Sequence, residues 1–423
     1  MGRYSSGDKQ PRGLKPVKKI ELSENNIKLR TVIVIVALAV ALLAFGFAIY
    51  WMLDRDPGWQ TVEVTGIDTN CSEDFIFNYD LGRGEMSANA EYREISALYT
   101  DMCELAYKLF NENEVFGDVF SVAYINKHVN EDIIIDSVLY DALYKFVLDG
   151  ERYIYCAPVY DAYEGMFFGY NGSNHTDSYD PYLDSDTARY LESIIEYTGS
   201  ASHITLDFLG DGRIRLNVSD EYLAFAADNE IETFVSFMWL KNAFIIDYFA
   251  DSLIDAGYTN GTLSSYDGFT RNLDKRGTEY GYNLYDRYEN DVYNAASMLY
   301  SGQTAIVFLK DYMLDDQDIW HYRETESGNV ITPYIDGDDG LYKSATHNVV
   351  SYAEGLGCVD ILLKLLPVYI ADELDTSALN SLISEGIYSI YGDARTIKYN
   401  QVELEIVNLY EKDGVSYKTE YAN

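Results

Sequence analysis

The sequence predicts an α+β fold of mixed, largely antiparallel sheets with helices, preceded by one transmembrane helix. The strands are clearest at 203–218, where two alternating apolar segments flank the turn 209–212 (LGDG). The helices are clearest at 242–256, where apolar residues recur at three- and four-residue spacing and Gly257 follows as a stop. The third observation is the segment Thr31–Leu53, which contains no charged residue and no proline.

The other predicted elements alternate between the two types along the chain. Helical spacing, in places preceded by a capping residue, predicts helices at 92–113, from Asp136 to 147, at 184–197, after Ser219 to 227, and at 349–370 with an interruption near Gly355. Short β-rich or alternating runs predict strands at 61–67, 74–79, 261–265, 304–309 and 402–409. Intermixed helices and hairpins indicate an α+β architecture.

The segment Thr31–Leu53 is long enough to cross a membrane as a helix. At about 1.5 Å per residue it spans roughly 34 Å, and a hydrocarbon core is about 30 Å thick. The preceding residues carry eight Lys and Arg against three acidic residues, an excess that favours the cytoplasmic side. We therefore predict a cytoplasmic tail (1–30), a single lipid-embedded helix (31–53) and an extracytoplasmic domain (54–423) at the cell membrane; a cleaved signal peptide is the alternative.

Composition limits the partners of the outer domain. The chain has a net charge of −38, and most of the acidic residues follow the apolar segment, so nucleic acid is excluded as a partner. Forty tyrosines and 18 phenylalanines provide material for a core. The four cysteines form no zinc pattern, and both disulfides and buried free thiols stay open.

No general catalytic signature is present. The sequence lacks G-x-S-x-G, a P-loop and H-E-x-x-H, and its five histidines are scattered. Two acidic segments, 175–186 and 336–340, are candidate calcium loops, although neither has EF-hand spacing and such clusters also arise by chance in so acidic a chain.

Read in order, several segments resemble motifs of the ApbE family of flavin transferases. Asn126 stands where that family has an asparagine before a strand and a helix, and Lys241 and Asp247 match the lysine and aspartate of its GGxAKGYAxD helix. Asp267 matches the aspartate after a second glycine pair, and Asp360 matches the aspartate of the family's ADALSTA helix start. Both glycine pairs are replaced, the first by Phe237 and Met238, and Lys364 replaces a hydroxyl residue.

The resemblance implies a function and a site. It implies cleavage of FAD and transfer of FMN to a Thr or Ser of an exported flavoprotein, with Mg²⁺ held by Asp360 as the catalytic and metal-binding residue. It implies that Asn126, Lys241, Asp247 and Asp267 bind the flavin nucleotide. The replaced glycines and Lys364 support an alternative, a catalytically inactive binding or assembly module at the cell surface. An acidic, Tyr-rich protein that binds polysaccharide or cations is a third hypothesis.

Overall fold

The computed structural model describes residues 27–53, 55–66, 70–148, 152–168, 179–314, 318–319, 321–412 and 414–422. The chain divides into two units, Met1–Arg55 and Asp56–Asn423. The first unit contains helix α1 (Ile27–Leu53), which includes the segment predicted to cross the membrane. Among the residues that the structure describes, no helix is long and apolar enough to cross a membrane. The tail before residue 27 lies outside the described residues, and membrane anchoring stays a prediction.

The second unit has ten α-helices within its described residues: α2 (Asn70–Glu73), α3 (Ala88–Leu109), α4 (Val122–Lys127), α5 (Ser137–Leu148), α6 (Ala157–Phe167), α7 (Ser185–Thr198), α8 (Asp220–Asp228), α9 (Lys241–Asp255), α10 (Cys358–Tyr369) and α11 (Thr376–Ser381). The N-caps that the sequence predicts, Asp136 and Ser219, each accept a backbone N–H from the first turn of their helix. Asp184 caps α7 in the same way.

The strands of the same unit are β1 (Gly58–Thr61), β2 (Phe75–Leu81), β3 (Ile133–Ile134), β4 (Ile204–Gly210), β5 (Arg213–Val218), β6 (Gly261–Ser265), β7 (Phe269–Asn272), β8 (Tyr280–Tyr288), β9 (Asp291–Tyr300), β10 (Thr304–Lys310), β11 (Arg323–Glu324), β12 (Val330–Ile331), β13 (Asn348–Glu354), β14 (Tyr388–Asp393), β15 (Thr396–Tyr399), β16 (Glu405–Val407), β17 (Glu411–Lys412), β18 (Val415–Ser416) and β19 (Lys418–Tyr421).

One large sheet organises this unit. Its nine strands lie in the order β1-β2-β6-β7-β10-β13-β14-β15-β19. Every neighbouring pair is antiparallel except β15 with β19. Two three-stranded sheets accompany it, β3-β5-β4 and β16-β9-β8. The prediction of an α+β fold with largely antiparallel sheets is confirmed.

The large sheet is buried on both faces at its centre. Along β10, Ala305, Val307 and Leu309 belong to the core that includes α9 and α10. The alternate residues Ile306 and Phe308 belong to a second core, formed with the hairpin β8–β9. Successive strand residues point to opposite faces, so β10 contributes to two separate cores.

The strand predicted at 61–67 is wrong in its bounds, because β1 ends at Thr61 and residues 62–66 lie outside any strand. The double burial of the large sheet explains a second error in the predicted elements. The apolar run at 349–370 was predicted as a helix interrupted near Gly355 and Gly357, but residues 348–354 form β13, a central strand, and the helix begins only at Cys358. A strand buried on both faces shows no alternation, so its apolar run is indistinguishable from that of a buried helix. The hairpin at 203–218 and the helix at 242–256 are confirmed as β4–β5 and α9.

Candidate functional site

A cleft opens at the first turn of α9. Its volume is about 210 Å³, and it is lined mainly by the end of α3, by α6 and by the start of α9. Lys241, the first residue of α9, is one of the lining residues, together with Glu112, Glu164, Tyr160 and His321. The turn before α9 has an unusual backbone, because Met238 adopts a positive φ of 49°. Glycine adopts this conformation most easily, and Met238 stands where the motif that the sequence resembles has a glycine.

Lys241 is the cation of this cleft. It is partly buried, and its side-chain ammonium makes no hydrogen bond or ion pair with any residue that the structure describes. Burial raises the pKa of Glu164 and the nearby charge of Glu112 adds to this, whereas Lys241 opposes it. Burial and, to a smaller extent, the positive charge of Lys241 lower the pKa of His321 to about 4. The imidazole, which lies 3.2 Å from the Tyr160 hydroxyl, is therefore neutral near pH 7.

Two carboxylates, Asp267 and Asp74, lie near Lys241. Asp267 is on the turn between β6 and β7, and Asp74 precedes β2. Asn242 donates from Nδ2 to Oδ2 of Asp267 at 3.0 Å. Burial raises the pKa of Asp267 to about 6, and the negative charge of Asp74 contributes to the increase. Oδ1 of Asp267 and Oδ1 of Asn242 are both buried without a hydrogen-bond partner among the described residues. Two unsatisfied acceptors at one place are a local cost to stability.

Asp247 holds the start of another helix. Its two oxygens accept the N–H groups of Cys358 and Val359, at 2.8 and 2.9 Å, and so cap α10. It also forms a buried ion pair with Arg271. Gly357 passes so close that an added Cβ would lie 2.3 Å from Oδ2 of Asp247. These contacts use Asp247 as a structural clamp between α9, β7 and α10.

Asp360 is engaged on both of its carboxylate oxygens. Oδ2 accepts the Gly357 N–H at 2.9 Å, which completes the cap of α10. Oδ1 lies 2.6 Å from the ammonium nitrogen of Lys145, on α5. One turn further on, Lys364 adds a second positive charge and lies 3.8 Å from Glu385.

Asn126 fixes a loop that leads towards the cleft. It is buried, its Oδ1 accepts the N–H groups of Phe234 and Val235, and its Nδ2 donates to the Val235 carbonyl at 2.9 Å. The following residue, Ser236, donates to Glu112 in the cleft wall. Asn126 therefore positions the segment before α9 from outside the cleft.

The structure thus brings the five predicted residues to three neighbouring features. Lys241 alone lines the cleft, Asp267 lies beside it through Asn242, Asp247 and Asp360 meet at the start of α10, and Asn126 supports the loop. Their roles in cofactor binding and catalysis stay predictions. Sequence reasoning missed His321 and Tyr160, which are far apart in the chain and belong to no motif, so no local signal pointed to them.

Of the two acidic segments that were candidate calcium loops, one is described in full and the other only in part. Asp336 and Asp339 both contact the ammonium of Lys343, at 2.6 and 2.7 Å, so an internal cation occupies that turn. Part of the other segment, 175–178, lies outside the described residues. Within the parts of the chain that the structure covers, no group of three or more His, Cys, Asp or Glu is arranged to hold a metal ion. All four cysteines are buried and free.

The fold defines the class to which this unit is similar. No protein-family model and no curated protein sequence matches the chain. Solved structures do match: the ApbE protein of Thermotoga maritima superposes with a TM-score of 0.55 at 11% identity, covering 79% of this chain and 94% of that chain. The flavin transferase ApbE of Vibrio cholerae and a variant of it give TM-scores of 0.49 at 12% identity, covering 83% of this chain and 97% of theirs. The Thermotoga comparison shows that this chain has an ApbE-like fold.

Proposed function

We propose that this chain is a membrane-anchored, extracytoplasmic module with an ApbE-like fold that acts by binding and does not transfer FMN. The observation that carries the proposal is the ion pair between Lys145 and Asp360, because it places a built-in cation on the carboxylate that the resemblance assigns to Mg²⁺. The anchor and its orientation rest on the apolar segment 31–53 and the basic residues before it.

Magnesium does not fit the residues around Asp360. The ion needs near-octahedral oxygen ligands at about 2.0–2.1 Å. Here one carboxylate oxygen faces an ammonium at 2.6 Å and the other accepts a backbone N–H. Lys364 stands where the family has a hydroxyl ligand, and its positive charge repels a divalent cation.

FAD also fits the cleft poorly. Pockets for drug-sized ligands measure about 300–1,000 Å³, whereas this cleft measures about 210 Å³. Glu112 and Glu164 in its wall repel the pyrophosphate, and the side chain of Met238 lies where a glycine would let phosphate approach the backbone. The charge and the shape of the cleft therefore both disfavour the dinucleotide.

An FAD-cleavage assay on the full chain tests the proposal. We expect no bound flavin after gel filtration and no release of AMP when the chain is incubated with FAD and Mg²⁺. A double variant, Lys145→Ala with Lys364→Thr, frees Asp360 and restores the hydroxyl, and it serves as the matched comparison. Flavin binding near one per chain, or AMP release by the unaltered protein, would overturn the proposal.

FMN transfer is the second candidate function, and one observation favours it. The ammonium of Lys241 faces the cleft without a partner among the described residues, and such a cation attracts a phosphate group. The same assay distinguishes the two candidates. If the chain is a transferase, it releases AMP and Lys241→Ala abolishes that release. If the chain binds a partner other than a nucleotide, neither the unaltered protein nor the variant releases AMP.

A further inference from the structure

The second face of the nine-stranded sheet is covered over only part of its width. The core under the hairpin β8–β9 uses Ile306, Phe308, Val350 and Ile390, which lie on β10, β13 and β14. Through the strand register, the same face continues across β6 and β2 to β1. At that edge Trp59, Thr61, Asn78 and Thr262 are partly or fully exposed on this face, whereas Asp80, opposite Trp59 in the register, is buried.

A groove of about 540 Å³ lies where this uncovered edge meets the start of the hairpin. The neighbouring strands contribute Trp59, Gln60 and Thr61 from β1, Asn78 from β2 and Thr262 from β6. The opposite wall is the segment 278–281, which leads into β8. The volume is within the range of about 300–1,000 Å³ that small-ligand sites occupy.

Two aromatic rings flank the groove, and the structure holds them in place. Trp59 is 47% exposed although it is the largest side-chain type, and its ring meets that of Tyr280 edge to face at 6.1 Å. The Tyr280 hydroxyl donates to Asp274 at 2.5 Å, and Asp274 is itself paired with Arg276 at 2.8 Å. Rings fixed in advance lose little conformational entropy when a ligand stacks on them.

The polar lining is almost entirely uncharged. Thr61 donates to Oδ1 of Asn78 at 2.8 Å, which orients the amide. The amide nitrogen of Asn78 and the hydroxyl of Thr262 have no hydrogen-bond partner among the residues that the structure describes. Glu279 is the only charged side chain of the lining, in a chain whose net charge is −38. Such a surface attracts neither phosphates nor basic polymers, and it suits a ligand that carries many neutral hydroxyls.

We propose that this groove binds a neutral polysaccharide. The C–H face of a pyranose ring is apolar and stacks on the exposed face of Trp59, while its edge carries hydroxyls that reach Asn78, Thr262 and Glu279. Burial of an aromatic anchor supplies affinity, and the uncharged hydrogen-bonding groups supply orientation. The inference is independent of the cleft at α9 and of any flavin chemistry.

Calorimetric titration of the full chain tests the groove. The protein is kept in a polyoxyethylene detergent, because detergents with sugar headgroups would compete. Cellohexaose and the fully N-acetylated chitohexaose are the neutral probes, and polygalacturonate is the anionic one. We expect one of the neutral hexasaccharides to bind and Trp59→Ala to weaken that binding by at least about tenfold.

Tyr421→Ala is the matched control. It removes an exposed aromatic ring from β19, the opposite edge strand of the same sheet, where the ring also meets a neighbouring tyrosine edge to face. We expect this variant to bind within about twofold of the unaltered chain, and both variants to keep the same thermal unfolding midpoint within about 3 °C. No binding of either neutral probe, tighter binding of polygalacturonate, or equal effects of the two variants would overturn the proposal. If Trp59→Ala unfolds early, Asn78→Ala provides the second variant with the same expected loss.

Discussion

Replacing Asp267 by asparagine tests the electrostatics beside the cleft. Asp267 is a partly buried carboxylate with one oxygen bound to Asn242 and the other without a partner among the described residues. Burial raises its pKa to about 6. Asparagine is nearly the same size and keeps an oxygen for the Asn242 amide, so Asp267→Asn removes the charge with little change of shape.

The magnitude follows from the pKa. A rise from the ordinary value of 3.8 to about 6 corresponds to about 3 kcal/mol, at about 1.4 kcal/mol per pH unit. Solvent screening at the exposed side reduces this to about 2 kcal/mol. Because the folded state holds the proton more tightly than the unfolded state, Asp267 favours folding at low pH, and this contribution is lost as the pH rises from about 4 to about 6. The variant does not titrate, so its stability relative to the unaltered chain should rise over this interval.

Urea unfolding of the full chain, followed by circular dichroism from pH 5 to pH 8, measures the difference. Values below pH 5 are avoided because the isoelectric point is about 4.3 and the protein carries little charge there. We expect Asp267→Asn to gain about 1 kcal/mol over the unaltered chain between pH 5 and pH 8, about half of the full effect. Asp255→Asn, which removes an exposed carboxylate at the end of α9, is the charge-matched control and should gain less than Asp267→Asn over the same interval. A difference for Asp267→Asn that stays constant or falls with pH would refute the reasoning.

Four further changes test the remaining contacts and the anchor. Asp247→Ala should lower the free energy of unfolding by about 3 kcal/mol in urea titrations, because it removes the cap of α10 and leaves the buried Arg271 with only the exposed Asp251 as a counter-charge. Asn126→Ala should cost about 2–3 kcal/mol in the same measurement, since it leaves buried backbone groups unsatisfied; a loss below about 0.5 kcal/mol would contradict the contacts. Asp360→Ala should lower the free energy of unfolding by about 1 kcal/mol more than Lys145→Ala does. Both variants lose an exposed ion pair, but only Asp360→Ala also loses the cap of α10; equal losses would contradict the capping role of Asp360. Protease added to right-side-out vesicles should digest the outer domain, and deletion of residues 1–53 should release it from the membrane fraction; protection of the domain would overturn the orientation.

Local patterns were sufficient for elements that keep one face towards solvent. The hairpin β4–β5 alternates cleanly and turns at Gly210, Asp211 and Gly212, all of which have positive φ. Helix α9 shows its apolar spacing because one side of the helix is partly exposed. Strand β13 lacks that contrast, and the tyrosine-rich strands β8 and β9 were not predicted, because tyrosine is neither clearly apolar nor clearly polar in an alternating pattern.

The sequence by itself determined the class of the fold, the strongly acidic composition after the apolar segment, and the apolar segment with its basic flank. Only the tertiary structure decided what the carboxylates do. Asp360 faces Lys145 and Asp247 faces Arg271, each across a large separation in the chain. A carboxylate binds a metal, caps a helix or neutralises a lysine with the same oxygens, and the choice depends on which charges folding places within about 3 Å of it.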